Sequence, residues 1–451
     1  MMNSRIRTSA FAAGCLAWST VAIAQTNILI NGDFEADAEG TTADGTDFID
    51  ATTITGWRVF AVGGATASAT VTSAAGRSGK GIELARTSPS GADAAFDKDD
   101  PSLRQSVAPE ERIYKLTVDV RDGGAFGTPE FGAELQFNDT SFNRSAVFEP
   151  SADFETFGLT ARSDAGGSMG ARFGLFGPER SVHFDNAVVI DATSGVNRMV
   201  NGGFENSATR LTNWRFFDTT TVSGTAALSS DPRTGARAAL LNVTLDPTVG
   251  DIGLDIDSAR VATISGEEMK LSFAAKTFAA PNSDTRLRAT LAAFDSAGTF
   301  VGDFVNEFVN PPTSAYASYT FDFTVPDGAA VVNLAFRVFD GTLNALSTGG
   351  YLIDDVSLLG VPDTSRGDYD QDLDIDGNDF LVWQRGGSPA PFNQNDLGTW
   401  QSNFGQPASA GFSAAIPEPT ATSLGFIAGG LVAACSRRRR VTLKALDSGE
   451  L

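Results

Sequence analysis

The feature that most constrains the fold is an internal repeat that covers most of the chain. Short motifs from the first half return in the same order in the second half. The matching segments are Asn31–Glu35 and Asn201–Glu205, Gly56–Phe60 and Asn213–Phe217, Arg77–Gly79 and Arg233–Gly235, and Val182–Val189 and Tyr351–Leu358. A repeat of this length predicts two copies of one domain, at residues 26–193 and 197–360.

Both copies carry the pattern of short, half-buried strands. Apolar and polar residues alternate around Leu116, Val118 and Val120 in the first copy, and around Tyr319 and Phe321 in the second. Alternation with a period of two is the mark of a strand with one face in the core. The sequence therefore predicts an all-β fold of two tandem β-sandwiches, followed by a small α-helical module and a transmembrane tail.

An acidic segment, Asp368–Asp379, follows the second copy. Its carboxylates fall at the ligand positions of an EF-hand-type calcium loop, and Ile375 holds the apolar position. The predicted Ca²⁺ ligands are Asp368, Asp370, Asp372, Asp374, Asp376 and Asp379. Leu373 departs from the pattern, because that position normally carries glycine for a sharp turn. The alternative is an acidic, solvated linker.

The helix expected after this loop has a second version. Asn378–Gln384 recurs as Asn395–Gln401, but the second version lacks ligand oxygens before it, so one Ca²⁺ is expected. This arrangement, at 367–405, resembles a dockerin, and the resemblance implies a cohesin-like protein partner. Trp383 and Trp400 are expected to be core partners between the two helices. Residues 361–366 and 406–416 are predicted linkers.

The two ends of the chain carry targeting signals. Residues 1–24 have a basic start, an apolar run and a small-residue cleavage site, which predicts removal by signal peptidase. Near the other end, Ile416–Pro419 precedes an apolar stretch and Arg437–Arg440. Residues 417–440 resemble a PEP-CTERM sorting signal, which implies an exosortase, a membrane contact through this tail alone and a secreted or cell-surface product. The alternative is a plain carboxy-terminal anchor.

The repeated motifs resemble those of galactose-binding-like jelly rolls, the carbohydrate-binding modules of families four, nine and twenty-two. The resemblance implies polysaccharide binding and a structural Ca²⁺ that joins the first and last strands. Its implied ligands are Asp33, Glu35 and Asp185 in the first copy and Gly203, Glu205 and Asp354 in the second. The alternative is that these residues are exposed polar strand ends.

The composition of the chain limits which partners and which classes of enzyme are possible. With 33 basic and 55 acidic residues, the net charge of −22 argues against a nucleic-acid partner. Both cysteines, Cys15 and Cys435, lie in the processed segments, and His183 is the one histidine. We expect His183 to be an ordinary strand residue and the protein not to be an enzyme, although counting does not exclude a carboxylate-pair glycosidase.

Aromatic residues are candidates for contacts with the faces of sugar rings. Trp57 and Trp214 share one position in the repeat, where we expect core residues, whereas Phe126 and Phe131 are candidate sugar contacts. The sequence thus predicts a secreted, non-catalytic protein that binds polysaccharide. The alternatives are a structural cell-surface or matrix scaffold without glycan binding and an accessory to a glycoside hydrolase system.

Overall fold

A computed structural model of the protein describes residues 26–46, 52–61, 66–86, 94–97, 105–106, 112–124, 130–137, 144–163, 168–176, 180–193, 195–218, 223–245, 251–256, 260–279, 285–313, 315–340, 349–361, 367–369, 375–388 and 390–405. The predicted signal peptide, the sorting tail and loop residues 370–374 lie outside these ranges. The chain divides into two compact units, one holding the repeated region and one holding the helical module. None of the helices in the described ranges combines the length and the apolar character needed to cross a membrane.

The first repeat forms two antiparallel sheets around one core. One sheet has the spatial order β1 (Thr42–Thr46), β3 (Thr66–Thr72), β4 (Gly81–Arg86), β12 (Arg180–Asp191), β7 (Arg112–Asp122) and β10 (Glu155–Ser163). The other has the order β2 (Arg58–Ala61), β5 (Ala94–Asp97), β11 (Ser168–Phe176), β8 (Glu130–Phe137) and β9 (Arg144–Phe148), with β6 (Gln105–Ser106) beside β11. We call this repeat the first sandwich.

The second repeat has the same strand order. One sheet runs β14 (Ser223–Ser229), β15 (Ala238–Leu245), β23 (Gly349–Gly360), β18 (Glu268–Ala279) and β21 (Ala317–Thr324). The other runs β13 (Trp214–Asp218), β16 (Asp251–Ile256), β22 (Val331–Asp340), β19 (Thr285–Phe294) and β20 (Phe300–Val309), with β17 (Val261–Ala262) beside β22. Strand for strand this second sandwich matches the first, except that β1 has no counterpart among its described strands. The predicted all-β character is confirmed.

In each sandwich, an asparagine of the repeated opening motif is hydrogen-bonded to the core tryptophan. Asn31 and Asn201 both adopt the left-handed backbone conformation, with φ of 52° and 59°, which asparagine tolerates better than most residues. Their carbonyl oxygens accept hydrogen bonds from the indole Nε1 of Trp57 and Trp214, each at 3.0 Å. Both tryptophans are buried, as predicted for core residues.

A second repeated asparagine fastens the opening segment to the closing strand. Asn27 Nδ2 donates to the carbonyl oxygen of Ala187 at 2.9 Å, and its Oδ1 accepts from the amide of Val189 at 2.9 Å. Asn197 makes the same two bonds in the second sandwich, to Val356 and Leu358, each at 3.0 Å. The two ends of each repeat therefore lie side by side, as the sequence led us to expect.

Buried charged groups join the two sandwiches. Arg198, which is 0% exposed, donates from Nη1 and Nη2 to Glu267 at 2.7 Å each and from Nε to the carbonyl oxygen of Ala192 at 2.8 Å. Lys115 Nζ donates across the same boundary to the carbonyl oxygens of Asn197 and Met199, at 2.8 and 2.7 Å. The bonds to the carbonyl oxygens of Ala192, Asn197 and Met199 cross between the sandwiches, whereas Glu267 belongs to the second sandwich together with Arg198.

The helical module contains α1 (Gly377–Gln384) and α2 (Gln394–Asn403). The two helices predicted from the recurring segment are confirmed. The ring of Phe380 stacks on Trp400 and on Trp383, with centroids 4.9 and 5.6 Å apart. Trp383 Nε1 donates to the carbonyl oxygen of Asn393 at 3.0 Å and Trp400 Nε1 to that of Asp376 at 2.7 Å. Each tryptophan thus reaches the N-cap residue of the other helix, as expected for residues that pack between the helices.

Candidate functional site

The candidate site includes β2, where the alternation of side chains places the ring of Phe60 on the outer face of the sheet. Trp57 and Val59 are buried in the core, so Arg58 and Phe60 point to the outer face of the sheet. Both outward side chains are half-buried. The same parity in the second sandwich puts Arg215 and Phe217 on the outer face of β13.

Strand register extends a smooth row of residues across the sheet from Phe60. The residues that stand opposite one another on successive strands are Phe60, Ala95, Gly174, Gly132 and Val147. This row is on the outer face, because the neighbouring Phe131, Phe148 and Phe173 are buried. The row carries only hydrogen or methyl side chains at its three middle positions and is about 19 Å long, which is four strand spacings; Gly132 and Gly174 within it are buried. We call it the Phe60 groove.

A polar wall follows one side of the Phe60 groove. The neighbouring cross-strand row contains Arg58, Arg172 and Glu134. The guanidinium carbons of Arg58 and Arg172 each lie 5.1 Å from the centroid of the Phe60 ring. Arg172 Nη1 is also 3.7 Å from Glu134 Oε2. The guanidinium and carboxylate groups are thereby held beside the aromatic ring.

This arrangement has the chemistry needed to bind a sugar. A ring at one end can contact the apolar face of a pyranose, and donors and acceptors along the wall can meet its hydroxyl groups. Phe60 was not among the residues predicted from the sequence, although the alternation from Trp57 along β2 was the signal that could have identified it.

The equivalent face of the second sandwich is filled. The ring of Phe217 lies against the backbone of Gly253, where an added Cβ would come within 2.0 Å of its Cζ atom. Arg337 stands opposite Gly253, and its guanidinium carbon is 5.1 Å from the Phe217 centroid. The next position in the row is Arg288. Arginine side chains therefore stand where the first sandwich has Gly174 and Gly132.

The carboxylates predicted to bind structural calcium hold a glycine turn in each sandwich. Asp185 Oδ2 accepts from the amides of Arg77 and Ser78 at 2.9 and 3.2 Å, and Glu35 Oε1 accepts from the amide of Lys80 at 2.6 Å. In the second sandwich Asp354 Oδ2 accepts from Arg233 and Thr234 at 2.7 and 3.2 Å, and Glu205 Oε1 from Ala236 and Arg237 at 2.7 and 2.8 Å. The structure thus brings each predicted glutamate and aspartate to one turn.

The environment of these carboxylates bears on whether they could bind a metal ion. Burial raises the pKa of Asp185 and of Asp354, and backbone amides that donate to them oppose that rise. Asp33 and Gly203, whose carbonyl oxygens are the remaining implied ligands, lie in the same tight segments as the glutamates. Across the described ranges, no three or more acidic, histidine or cysteine side chains are grouped to hold a metal ion. Calcium at the strand ends remains a prediction.

In the acidic loop, the described ligand positions are Asp368, Asp376 and Asp379. Asp368 and Asp379 are 1% and 0% exposed, and Ile375 is fully buried, as predicted for the apolar position. Asp379 Oδ1 accepts from the amide of Tyr369 at 2.6 Å and its Oδ2 from the amide of Asp376 at 2.7 Å. The other predicted ligands, Asp370, Asp372 and Asp374, lie outside the described residues.

Phe126 and Phe131 were predicted to contact sugar, and His183 was predicted to be an ordinary strand residue. Phe131 is wrong as a sugar contact, because it is 0% exposed in the core, and Phe126 lies outside the described residues. His183 is a strand residue whose Nδ1 accepts a hydrogen bond from Arg121 Nε at 3.2 Å. Burial, followed by repulsion from Arg121, lowers the pKa of His183.

Comparison with solved structures finds similar β domains. The tandem CBM22-1–CBM22-2 domain of Xyn10C from Paenibacillus barcinonensis is 14% identical, with 72% of this chain and 99% of that chain covered and a TM-score of 0.27. The family 11 carbohydrate-binding module from Clostridium thermocellum, in complex with a β-1,3-1,4-mixed-linked tetrasaccharide, is 16% identical over 35% of this chain and 93% of that chain, with a TM-score of 0.25.

A third similar structure is the enzymatically active domain of tailspike protein 4 from bacteriophage CBA120. It is 23% identical over 37% of this chain, with a TM-score of 0.29, and the chain spans 22% of the tailspike. The similar structures therefore include carbohydrate-binding modules and part of an enzyme. No protein-family model and no curated protein matches the chain.

Proposed function

We propose that the protein is a secreted, non-catalytic carbohydrate-binding protein whose first sandwich binds a neutral polysaccharide in the Phe60 groove. The observation that carries the proposal is the outward row from Phe60 to Val147, with glycines at its centre and Arg58, Arg172 and Glu134 beside it. A neutral polymer is favoured because a net charge of −22 repels acidic ones.

Sequence features support the other parts of the proposal. The signal peptide and the PEP-CTERM-like tail favour export and sorting by an exosortase to the cell surface. The absence of cysteine outside the processed segments, together with the strand role of His183, favours binding without catalysis. If the protein binds none of the polysaccharides tested below, the alternative of a scaffold without glycan binding is favoured. An accessory role in a glycoside hydrolase system is compatible with polysaccharide binding.

The test is affinity gel electrophoresis of a protein comprising residues 26–405. The gels contain xylan, mixed-linkage β-glucan or β-1,4-galactan. We expect slower migration in at least one polymer, and we expect Phe60→Ala to weaken binding about tenfold, the equivalent of 1.4 kcal/mol, because it removes the ring at the end of the groove.

The matched control is Phe300→Ala, since Phe300 is an exposed phenylalanine (56%) on β20 of the second sandwich. It should bind as the unsubstituted protein does. Equal binding by Phe60→Ala and Phe300→Ala would place any glycan site away from the groove. Unchanged migration in every polymer would favour the scaffold.

We further propose that the module at 367–405 holds one Ca²⁺ in the Asp368–Asp379 loop and binds a cohesin-like protein. The observation that favours it is the burial of Asp368 and Asp379, because buried carboxylates are costly unless they are paired or coordinate a cation. Each oxygen of Asp379 has a second lone pair beyond its amide hydrogen bond, so this residue suits calcium chemically.

Tryptophan fluorescence tests the calcium proposal. Trp400 Nε1 donates to the carbonyl oxygen of Asp376 at 2.7 Å, so its emission should report on the loop. We expect EGTA to change the emission and added CaCl₂ to restore it. Asp379→Asn should weaken the response, and Asp396→Asn, in the second helix, should retain it. An emission unaffected by EGTA would contradict a calcium loop.

A further inference from the structure

A cleft of about 710 Å³ separates the open sides of the two sandwiches. In each sandwich, the open side is the gap between the edge strands of its two sheets. Edge strands β9 and β10 form one wall, and β13 and β14 form the other, together with residues 208–213. A volume of this size lies within the range of ligand-binding clefts, which is roughly 300–1,000 Å³.

The Phe60 groove ends in this cleft. Val147 is the last residue of the groove row and also lines the cleft, where its side chain is 47% exposed. Glu130, which stands on the same outer face of β8, lines the cleft beside it. Beneath them the rings of Phe148 and Phe157 stack with centroids 4.5 Å apart. A polymer lying along the groove is therefore directed into the cleft.

The second sandwich supplies the opposite wall. Its half-buried apolar residues there are Leu211, Phe216 and Leu228, and the exposed Thr209 and Ala227 stand near them. Apolar surface with a few hydroxyl and amide groups is the composition that favours the faces and hydroxyls of an uncharged sugar. Neither sandwich alone forms this site.

Buried polar contacts fix the distance between the two walls. Glu155 of β10 is 0% exposed and accepts from Arg210 Nε at 2.7 and 2.8 Å and from Arg210 Nη2 at 2.5 Å. Asn206 Nδ2 donates to the carbonyl oxygen of Thr156 at 2.8 Å. A pre-formed cleft binds without the cost of closing two mobile domains.

Charge selects among polymers. Glu130 and Glu149 are exposed on the first wall. The cation next to them, Arg210, is held by Glu155 beneath the cleft. These carboxylates would repel an acidic polysaccharide, whereas they would not repel a neutral chain.

We propose that the cleft is a second subsite for the same polysaccharide, so that one neutral glycan chain lies along the Phe60 groove and passes between the two sandwiches. This inference rests on the proposed function. It assigns the second sandwich a role as the far wall of a composite site, instead of an independent copy of the first. The repeat is then required for binding long chains and not for binding short ones.

The test compares a polymer with a short oligosaccharide, using the full chain. Xylan, mixed-linkage β-glucan and β-1,4-galactan are measured by affinity electrophoresis, and their trisaccharides by calorimetry. Ala227→Arg would obstruct the far wall, and Ala297→Arg, at an exposed turn between β19 and β20, is its matched control. Val147→Ala removes the apolar contact where the groove meets the cleft.

Supporting results are a loss of polymer affinity of about tenfold in Ala227→Arg with its trisaccharide affinity unchanged, and a smaller loss of polymer affinity in Val147→Ala, as expected when one of two linked contacts is lost. Ala297→Arg should bind as the unsubstituted protein does. Polymer binding that is equal in Ala227→Arg and Ala297→Arg would overturn the cleft subsite and leave the groove. Absence of binding to every polymer by the unsubstituted chain would overturn both. Circular dichroism confirms that the variants fold.

Discussion

Lys115 is a charged side chain that folding largely removes from water. Its ammonium group donates to two carbonyl oxygens of the second sandwich, and burial lowers its pKa to about 8. A neutral amine has two N–H groups, which is the number of acceptors present. The contact between the sandwiches therefore does not require the charge.

This predicts a pH dependence of stability. In the unfolded chain the pKa of lysine is about 10.4, so between about pH 8 and 10 the unfolded state binds the extra proton. The penalty for burying the charge is fully present below pH 8 and is relieved as pH rises. Relative to Lys115→Met, the free energy of unfolding should rise by up to about 1.4 kcal/mol per pH unit in this window.

Urea unfolding at pH 7, 8, 9 and 10 provides the measurement. Lys270→Met is a suitable control, because Lys270 is an exposed lysine paired with Asp322 on the surface. Parallel curves for the unsubstituted protein and Lys115→Met would show that the lysine keeps an ordinary pKa.

At the scale of elements, each sandwich depends on one glycine turn held by two carboxylates. Gly79 has φ of +75°, and an added Cβ would lie 2.0 Å from Glu35 Oε1. Gly235 repeats this arrangement with Glu205, at 2.3 Å. The glycine is needed both for its backbone conformation and for the approach of the carboxylate to the amides that follow.

Alanine substitutions should separate these two requirements. Gly298 also has positive φ, +81°, but no atom lies within 4 Å of an added Cβ. We expect Gly298→Ala to cost about 1 kcal/mol of stability, for the backbone alone. Gly79→Ala should cost about 2 kcal/mol or more, because Glu35 must also release the amide of Lys80. Equal shifts in unfolding midpoint would show that the Glu35 contact adds nothing.

The sequence predicted those elements that local patterns determine. Alternation at Leu116–Val120 identified β7, and the recurring Asn378–Gln384 segment identified both helices. The repeated asparagines showed which segments correspond, because each fixes a left-handed turn and a bond to a buried tryptophan. The alternation in β7 and the recurring helix segment each lie within a few neighbouring residues.

Contacts between distant residues could not be predicted in the same way. The groove depends on the register of five strands, which brings Gly174 beside Gly132 and both into line with Phe60. The cleft depends on Glu155 meeting Arg210 across two domains. Phe131 was mistaken for a surface ring because a glycine-rich segment precedes it, whereas the parity of β8 turns it into the core.

For the whole molecule, the structure accounts for two unequal copies of one domain. The first has glycines in the outer row of its second sheet, and the second has arginines in the corresponding place. The ion pair of buried Glu155 with Arg210 fastens the two together. Divergence of the second copy is expected if it acts as a wall of a shared site, because it then no longer needs a groove of its own.

Polysaccharide binding without catalysis can be tested in one assay that combines protein depletion with product analysis. A protein comprising residues 26–405 is incubated with insoluble xylan, mixed-linkage β-glucan and β-1,4-galactan, and both the unbound protein and new reducing ends are measured. We predict depletion by at least one polymer with no reducing ends above a buffer control. Release of reducing ends would contradict binding without catalysis, and absence of depletion by every polymer would contradict binding itself.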